Sequence, residues 1–166
     1  AEFDEKGIPA LIENYVKTGK VAFEFRNFVR DPLDLTGSLI TRCNGAQSFF
    51  PLTRAMYADQ KNWFTKIQAI PQAEMEKVQS MTPAQQFAAM AQYAGFQSWA
   101  AQRGVPSAKS SQCLANQSEA DKLVEMNSDG ASTFNIPGTP AFVINGKLVK
   151  DAATWPMLEP ELKKAL

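Results

Sequence analysis

The sequence predicts an α/β protein in which a block of helices interrupts a frame of helices and strands. Three observations predict this class. Residues 1–28 join a helical pattern to an alternating strand pattern, residues 29–117 carry helix signals alone, and residues 118–166 return to helix, two short strands and helix. These bounds divide the chain into the first part of the frame, a helical insertion and the second part of the frame.

The first part of the frame opens in a helix. Apolar residues recur at helical spacing between Phe3 and Val16, and acidic residues crowd the first turn, where the helix dipole favours them. Pro9 lies inside this pattern, so the sequence predicts a kink after Gly7. Gly19 is the residue type that ends helices in the left-handed conformation. No N-cap or preceding strand is visible, which indicates an upstream segment.

A strand is predicted from Lys20 to Phe28, because apolar and polar residues alternate there as they do along a half-buried strand. Glu24 and Arg26 stand on the more polar face of that pattern, and we expect a solvated pair rather than a buried functional one. The apolar face consists of Val21, Phe23 and Phe25.

Helix boundary signals define the insertion. Asp31 and Pro32 are typical of an N-cap and a first helical position, and Asn44-Gly45 ends that helix. The run Thr82-Pro83-Ala84-Gln85 is typical of a capping box. An aromatic and methionine stripe follows at helical spacing, and we interpret it as core rather than as a cofactor site: Phe87, Met90, Ala91, Ala94, Phe96 and Trp99.

The second part of the frame contains the most informative stretch, Ile136 to Lys147. Pro137 and Pro140 exclude a regular helix or a central strand immediately before Ala141. Ala141 to Ile144 is a short run of strand formers. Asn145-Gly146 predicts a two-residue hairpin turn, because both central residues of that turn need positive φ, and a return strand follows it.

Thr139-Pro140 stands at the mouth of this strand, where an X-Pro bond is a candidate for the cis form. Helices are predicted on both sides of the hairpin. One starts near Ser118 and runs toward Phe134, and the other is capped by Thr154.

Composition excludes several classes of function. The chain has 166 residues, of which 17 are basic and 17 acidic. The protein therefore has no excess of positive charge that would attract nucleic acid or an anionic membrane. Histidine is absent, which excludes a Ser-His or Cys-His couple within the chain and any imidazole metal ligand. No apolar run approaches the length of a membrane span. We therefore expect no metal site and no nucleic acid partner.

The chain has two cysteines, Cys43 and Cys113. They stand 70 positions apart, so they are not a Cys-x-x-Cys redox motif, and two cysteines without histidine cannot form an ordinary closed zinc site. Two interpretations stay open from the residues alone. The cysteines are either two buried free thiols or a structural disulfide, which would place the protein outside the cytosol.

The run from Gly138 to Lys147 resembles the cis-proline segment of the thioredoxin superfamily, in the form found in DsbA-like thiol–disulfide oxidoreductases. Two further parts of the chain resemble that family. Residues 25–33 are similar to the strand that leads into the family's helical domain, and Arg42-Cys43-Asn44-Gly45 with Gln112-Cys113-Leu114 are similar to its paired cysteines. The resemblance covers essentially the whole chain.

The resemblance implies a thioredoxin fold with an inserted helical subdomain. It implies a cis bond at Pro140 and a substrate-binding loop of Gly138, Thr139 and Pro140, in which Thr139 offers backbone groups to an extended substrate. It also implies a structural disulfide between Cys43 and Cys113.

The sequence departs from the family at the catalytic pair. Family members place Cys-x-x-Cys at the N-terminus of the helix that here begins at Ala1, so the resemblance implies no catalytic cysteine within the chain and such a pair just before Ala1. The first strands of the fold are also missing from the chain as given. In the family a central strand lies between the strand at Val21–Phe25 and the strand at Ala141–Ile144.

The resemblance implies a thiol–disulfide oxidoreductase, an oxidase or isomerase without a cofactor. Its partners would be cysteine-containing proteins or peptides and a redox partner protein, and its location periplasmic or otherwise extracytoplasmic in a bacterium. The alternative is a redox-inactive module of the thioredoxin fold that binds peptides or acts as a chaperone.

Overall fold

The computed structural model describes residues 2–166. Ala1, at which the sequence predicts the first helix to begin, lies outside the described residues. Backbone contacts divide the chain into two compact units. Residues 2–28 and 125–166 form what we term the frame unit, and residues 29–124 form the helical unit.

Eleven α-helices, one π-helical turn and two strands are assigned within residues 2–166. One of the helices, α10, runs through the boundary between the units. The helices are α1 (Glu2–Lys6), α2 (Ile8–Leu11), α3 (Pro32–Arg42), α4 (Ala46–Ala58), α5 (Gln60–Gln68), α6 (Gln72–Gln79), α7 (Pro83–Ala94), α8 (Phe96–Ala101), α9 (Ser107–Leu114), α10 (Gln117–Phe134) and α11 (Trp155–Lys164). The strands are β1 (Phe142–Ile144) and β2 (Lys147–Val149).

The first helical stretch is interrupted at Gly7, as the sequence predicts from Pro9. Helix α1 ends at Lys6, and α2 begins at Ile8 with the proline in its first turn. A π-helical turn, Ile12–Val16, continues α2. Gly19 closes this stretch with a φ of 72°, the left-handed conformation expected at a helix end.

The predicted strand from Lys20 to Phe28 is wrong. No residue between 20 and 30 is assigned to a strand, and the sheet of residues 2–166 has two strands only, β1 and β2. The alternation itself is real, because Val21, Phe23 and Phe25 are less exposed than the residues between them. A strand also requires a hydrogen-bonded neighbour, and side-chain alternation cannot supply one.

The hairpin follows the sequence closely. Strands β1 and β2 are antiparallel, with Phe142 opposite Val149 and Ile144 opposite Lys147. Asn145 and Gly146 connect them with φ values of 49° and 79°, so both central residues adopt the positive φ that this turn requires. The two-residue turn fixes the register of the pair.

A compact hydrophobic cluster holds the frame unit together. Its buried members come from α2, the π-helical turn and α11: Ile8, Leu11, Tyr15 and Leu162. Partly buried side chains from the whole unit surround it: Phe3, Ile12, Val16, Val21, Phe23, Ile144 and Trp155. The cluster thus joins segments that share no backbone hydrogen-bond ladder.

The helical unit has its own core, to which α3, α4, α7, α8 and α9 contribute. The aromatic and methionine stripe is buried there, so its interpretation as core is confirmed: Phe87, Met90, Phe96 and Trp99. Helix α6 was not predicted, because its one buried side chain, Val78, gives no periodic pattern.

Local capping accounts for the main helix starts. The Asp31 carboxylate accepts a hydrogen bond from the Asp34 N–H at 2.8 Å, and the predicted capping box of Thr82 and Gln85 is present. Helix α10 begins at Gln117, and the side-chain Oδ1 of Asn116 accepts from the Glu119 N–H at 3.1 Å. Thr154 occupies the N-cap of α11 without a side-chain hydrogen bond.

Replacing Asp31 with alanine should lower the free energy of unfolding by about 1 kcal/mol, because the first turn of α3 loses its acceptor. Asp31→Asn is the matched control, since the amide oxygen can still accept from the Asp34 N–H. Urea denaturation of both variants measures the effect. Equal losses in the two variants would contradict a capping role.

A hydrogen bond links the two ends of the frame unit. The Tyr15 hydroxyl donates to the Glu159 carboxylate at 2.7 Å, and Lys163 pairs with the same carboxylate at 3.2 Å. The bond from Tyr15 and then the contact with Lys163 lower the pKa of Glu159. Burial and the bond to Glu159 raise the pKa of Tyr15.

Because the folded state lowers the pKa of Glu159, the stability from this carboxylate is present above its unfolded pKa and is lost as the pH falls through its folded pKa. Tyr15→Phe should therefore destabilise the protein at neutral pH, and the difference from the wild type should shrink in acid. Thermal unfolding across a pH series measures this. Tyr93→Phe is the control, since it removes a hydroxyl from a half-buried tyrosine of α7, outside this pair. A pH-independent deficit in Tyr15→Phe would refute the link.

Candidate active site

The candidate site is the loop between α10 and β1. Asn135, directly after α10, has a φ of 52°, a left-handed value that ends the helix. Pro137 and Pro140 then prevent a regular helix from continuing, because proline has no N–H to donate. The loop reaches β1 at Phe142.

The peptide bond between Thr139 and Pro140 is cis, the form that the family resemblance implies. Both residues are exposed, and Gly138 is half-buried. A Cβ atom added to Gly138 would meet no heavy atom within 4 Å. The backbone on that side of the loop is therefore open to the close approach of another chain.

Side-chain packing attaches β1 to the N-terminal helices. The ring of Phe142 lies 4.4 Å from the ring of Phe3, centroid to centroid, with the planes tilted by 53°. Ile144, on the same face of the strand, packs against the frame cluster. Val143 faces away from these contacts and is 37% exposed. The strand that follows Pro140 is thus held from one face.

The first turn of α1 is acidic, with Glu2, Asp4 and Glu5. Lys6 pairs with Glu2 at 3.0 Å, and this hydrogen-bonded contact raises the pKa of Lys6. The Glu24–Arg26 pair is solvated, as the sequence predicts. Its atoms lie 2.8 Å apart, and the two side chains are 72% and 50% exposed.

Cys43 and Cys113 form a disulfide with a Cα–Cα distance of 5.7 Å. The structure thus decides between the two interpretations that the residues left open, and no free cysteine occurs in the described part of the chain. The bond joins the C-cap of α3 to α9 within the helical unit. A half-buried ion pair lies beside the disulfide, between Arg42 and Glu119 at 2.6 Å. The sequence does not predict it, because charge alone does not identify a partner 77 positions away.

The site residues fall into two groups. Gly138, Thr139 and Pro140 belong to the frame unit, whereas the disulfide belongs to the helical unit.

Among residues 2–166, no group of three or more histidine, cysteine or acidic residues could hold a metal ion. No helix of the described chain is long and apolar enough to cross a membrane.

A cis X-Pro bond that leads into a hairpin, packed on an N-terminal helix, together with an inserted helical unit, defines a thioredoxin-fold protein of the DsbA-like type. The family model described as thioredoxin matches residues 1–164. The chain belongs to the thioredoxin family.

Two similar proteins have names that concern disulfide chemistry. A crystal structure of a protein-disulfide isomerase from Novosphingobium aromaticivorans superposes with a TM-score of 0.93 and 32% identity, covering 98% of this chain and 83% of that one. A Rickettsia felis protein named as a protein-disulfide oxidoreductase is 24% identical over 148 residues, or 88% of this chain. The chain spans 45% of the length of that relative.

Replacing both cysteines, Cys43→Ser with Cys113→Ser, should lower the free energy of unfolding by about 4 kcal/mol, because the unfolded chain regains the freedom of a 70-residue loop. Urea denaturation measures the loss, with Ser107→Ala as a control for a small polar change at an exposed position of the same helix. A loss below 1 kcal/mol would contradict a stabilising role.

Thiol titration of the unfolded, unreduced wild type should find neither Cys43 nor Cys113 free.

Proposed function

We propose that the protein is a thiol–disulfide oxidoreductase of the oxidase or isomerase kind. The observation that carries this proposal is the match along almost the whole chain to the protein-disulfide isomerase of known structure, at 32% identity. The Rickettsia felis relative supports it by its name. The open loop at Gly138, Thr139 and Pro140 supplies a surface on which an extended substrate can lie.

The proposed chemistry is thiol–disulfide exchange at a Cys-x-x-Cys that precedes Ala1 in the encoded protein. When a substrate is reduced, one thiolate of the pair attacks a sulfur of the substrate disulfide, and the other substrate sulfur leaves as a thiolate. The second cysteine then attacks the mixed disulfide, releases the reduced substrate and leaves the pair oxidised. Oxidation of a substrate follows the same steps in reverse, so the thiols carry the electrons without an organic cofactor.

We place the nucleophile of such a pair at the start of α1, where the carboxylates of Glu2, Asp4 and Glu5 oppose a thiolate and the helix backbone favours it. Free N–H groups and the helix dipole at a helix N-terminus lower the pKa of a cysteine thiol and so favour its thiolate. We propose that the substrate binds beside this position with its backbone against Thr139 and Pro140. Both residues are exposed, as this role requires.

In this proposal the Cys43–Cys113 disulfide is structural and takes no part in exchange. Its cysteines are 70 positions apart and join α3 to α9 within the helical unit. A catalytic pair of the Cys-x-x-Cys kind instead holds both sulfurs at one helix start. The two disulfides would then serve different purposes, one in the fold and one in the reaction.

We further propose that the protein acts outside the cytosol of a bacterium, in the periplasm or an equivalent compartment. A stable disulfide within the fold supports this, because such bonds persist in oxidising compartments. The similar proteins named above also come from bacteria. Cysteine-containing proteins or peptides would be the substrates, and a second protein would restore the redox state of the pair.

The test is catalysis by the full-length protein, with insulin reduction and oxidation of a dithiol peptide as the two assays. We expect turnover in at least one assay, and we expect the Cys43→Ser, Cys113→Ser variant to retain it wherever circular dichroism shows that variant folded. Loss of turnover in the folded variant would assign the chemistry to Cys43 and Cys113. A full-length protein that binds peptides but is inactive in both assays would instead be a redox-inactive binding module or chaperone.

A further inference from the structure

Gly7 is a glycine that the backbone does not require. It lies between α1 and α2 with φ −94° and ψ −43°, which is ordinary right-handed helical backbone open to any L-residue. Alanine is favoured over glycine in such a position, because glycine loses more conformational freedom on folding. The reason for glycine at this buried position must therefore lie in its surroundings.

The ring of Phe3 occupies the space that a side chain at Gly7 would need. A Cβ atom added to Gly7 would lie 2.6, 2.8 and 3.0 Å from the Cε2, Cδ2 and Cζ atoms of that ring. These distances are too short for carbon atoms, and an aromatic ring cannot give way by bending as a long aliphatic chain does. Gly7 is the residue that lets Phe3 fold back over α1.

The same ring contacts Phe142, at 4.4 Å between centroids. Phe3 stands in the first turn of α1, and Phe142 is the second residue after Pro140, at the start of β1. Within residues 2–166, β1 has a hydrogen-bonded neighbour on one side only, β2. The contact between the two rings joins the start of the strand to the first turn of the helix.

We propose that Gly7, Phe3 and Phe142 position the substrate-binding loop relative to the start of α1. Gly7 leaves space for the Phe3 ring, and the ring fixes the position of Phe142. Because Phe142 is the second residue after Pro140, its position also fixes that of Thr139 and Pro140. This inference rests on the proposed function, in which the reacting cysteine stands at the start of α1 and the substrate lies on the loop. In this proposal the three residues act through the loop and not on the reacting sulfurs, so their role is one of positioning.

A stability measurement tests the first step. Gly7→Ala should lower the urea midpoint, whereas the same substitution in a Phe3→Ala background should leave the midpoint unchanged or raise it, because the obstructing ring is gone. Gly37→Ala is the matched control, since a Cβ atom at Gly37 would lie 3.7 Å from the ring of Phe96, an ordinary contact. Gly37→Ala should therefore raise the urea midpoint or leave it unchanged. The role of the ring would be overturned if Gly7→Ala lowered the midpoint equally in both backgrounds, or if Gly7→Ala raised the midpoint in the wild-type background.

A kinetic measurement tests positioning in the full-length protein. The reduced protein reacts with a short peptide that contains a disulfide, or with hydroxyethyl disulfide, which has no peptide backbone to dock. Gly7→Ala should slow the reaction with the peptide about tenfold, because a small misplacement of a docked substrate is costly. Gly7→Ala should leave the rate of the reaction with hydroxyethyl disulfide unchanged within about twofold. The control, Gly37→Ala, should leave the rates with both reagents unchanged within about twofold.

The possible results separate the two claims. If the wild type reacts with neither disulfide, the proposed function fails. If the wild type reacts with both and Gly7→Ala slows both equally or slows neither, exchange stands and the positioning role is overturned. If Gly7→Ala slows only the peptide reaction, the positioning role is supported.

Discussion

The candidate site depends on the packing of β1 against the N-terminal helices. Phe3 contacts Phe142, and Ile144 joins the cluster built on Ile8 and Leu11. In the described chain β1 pairs with β2, and these side chains attach the strand to the helices. The loop at Thr139–Pro140 precedes this strand directly, and its position follows from where the strand is held.

The disulfide and the candidate substrate-binding loop belong to different units of the chain. The disulfide closes a long loop inside the helical unit, where it can restrict the unfolded chain without entering a reaction. The frame unit supplies an exposed loop with open backbone beside Gly138. In the proposed function, the disulfide of the helical unit stays fixed while a second one changes state.

Local physics made much of the fold predictable from the sequence. The Asn145-Gly146 turn and the Asp31 cap depend on neighbours within four residues, and the structure contains both. The strand predicted from Lys20 to Phe28 failed because a ladder partner is a distant property. The hydrogen bond from Tyr15 to Glu159 could not be predicted either, because the two residues are 144 positions apart. Gly7 was taken as part of a kink, because sequence does not reveal that a ring fills the space beside it.

The central claim is that exchange occurs at a cysteine pair at the start of α1, with the substrate on the loop at Thr139 and Pro140. Its most direct test is to replace the second cysteine of the pair with serine in the full-length protein, to trap the mixed disulfide that this variant forms with a cysteine peptide, and to locate the bond by mass spectrometry. We expect a bond to the cysteine of the pair that precedes Ala1, with Cys43 still joined to Cys113. A peptide bonded to Cys43 or Cys113, or no adduct from a folded protein, would contradict it.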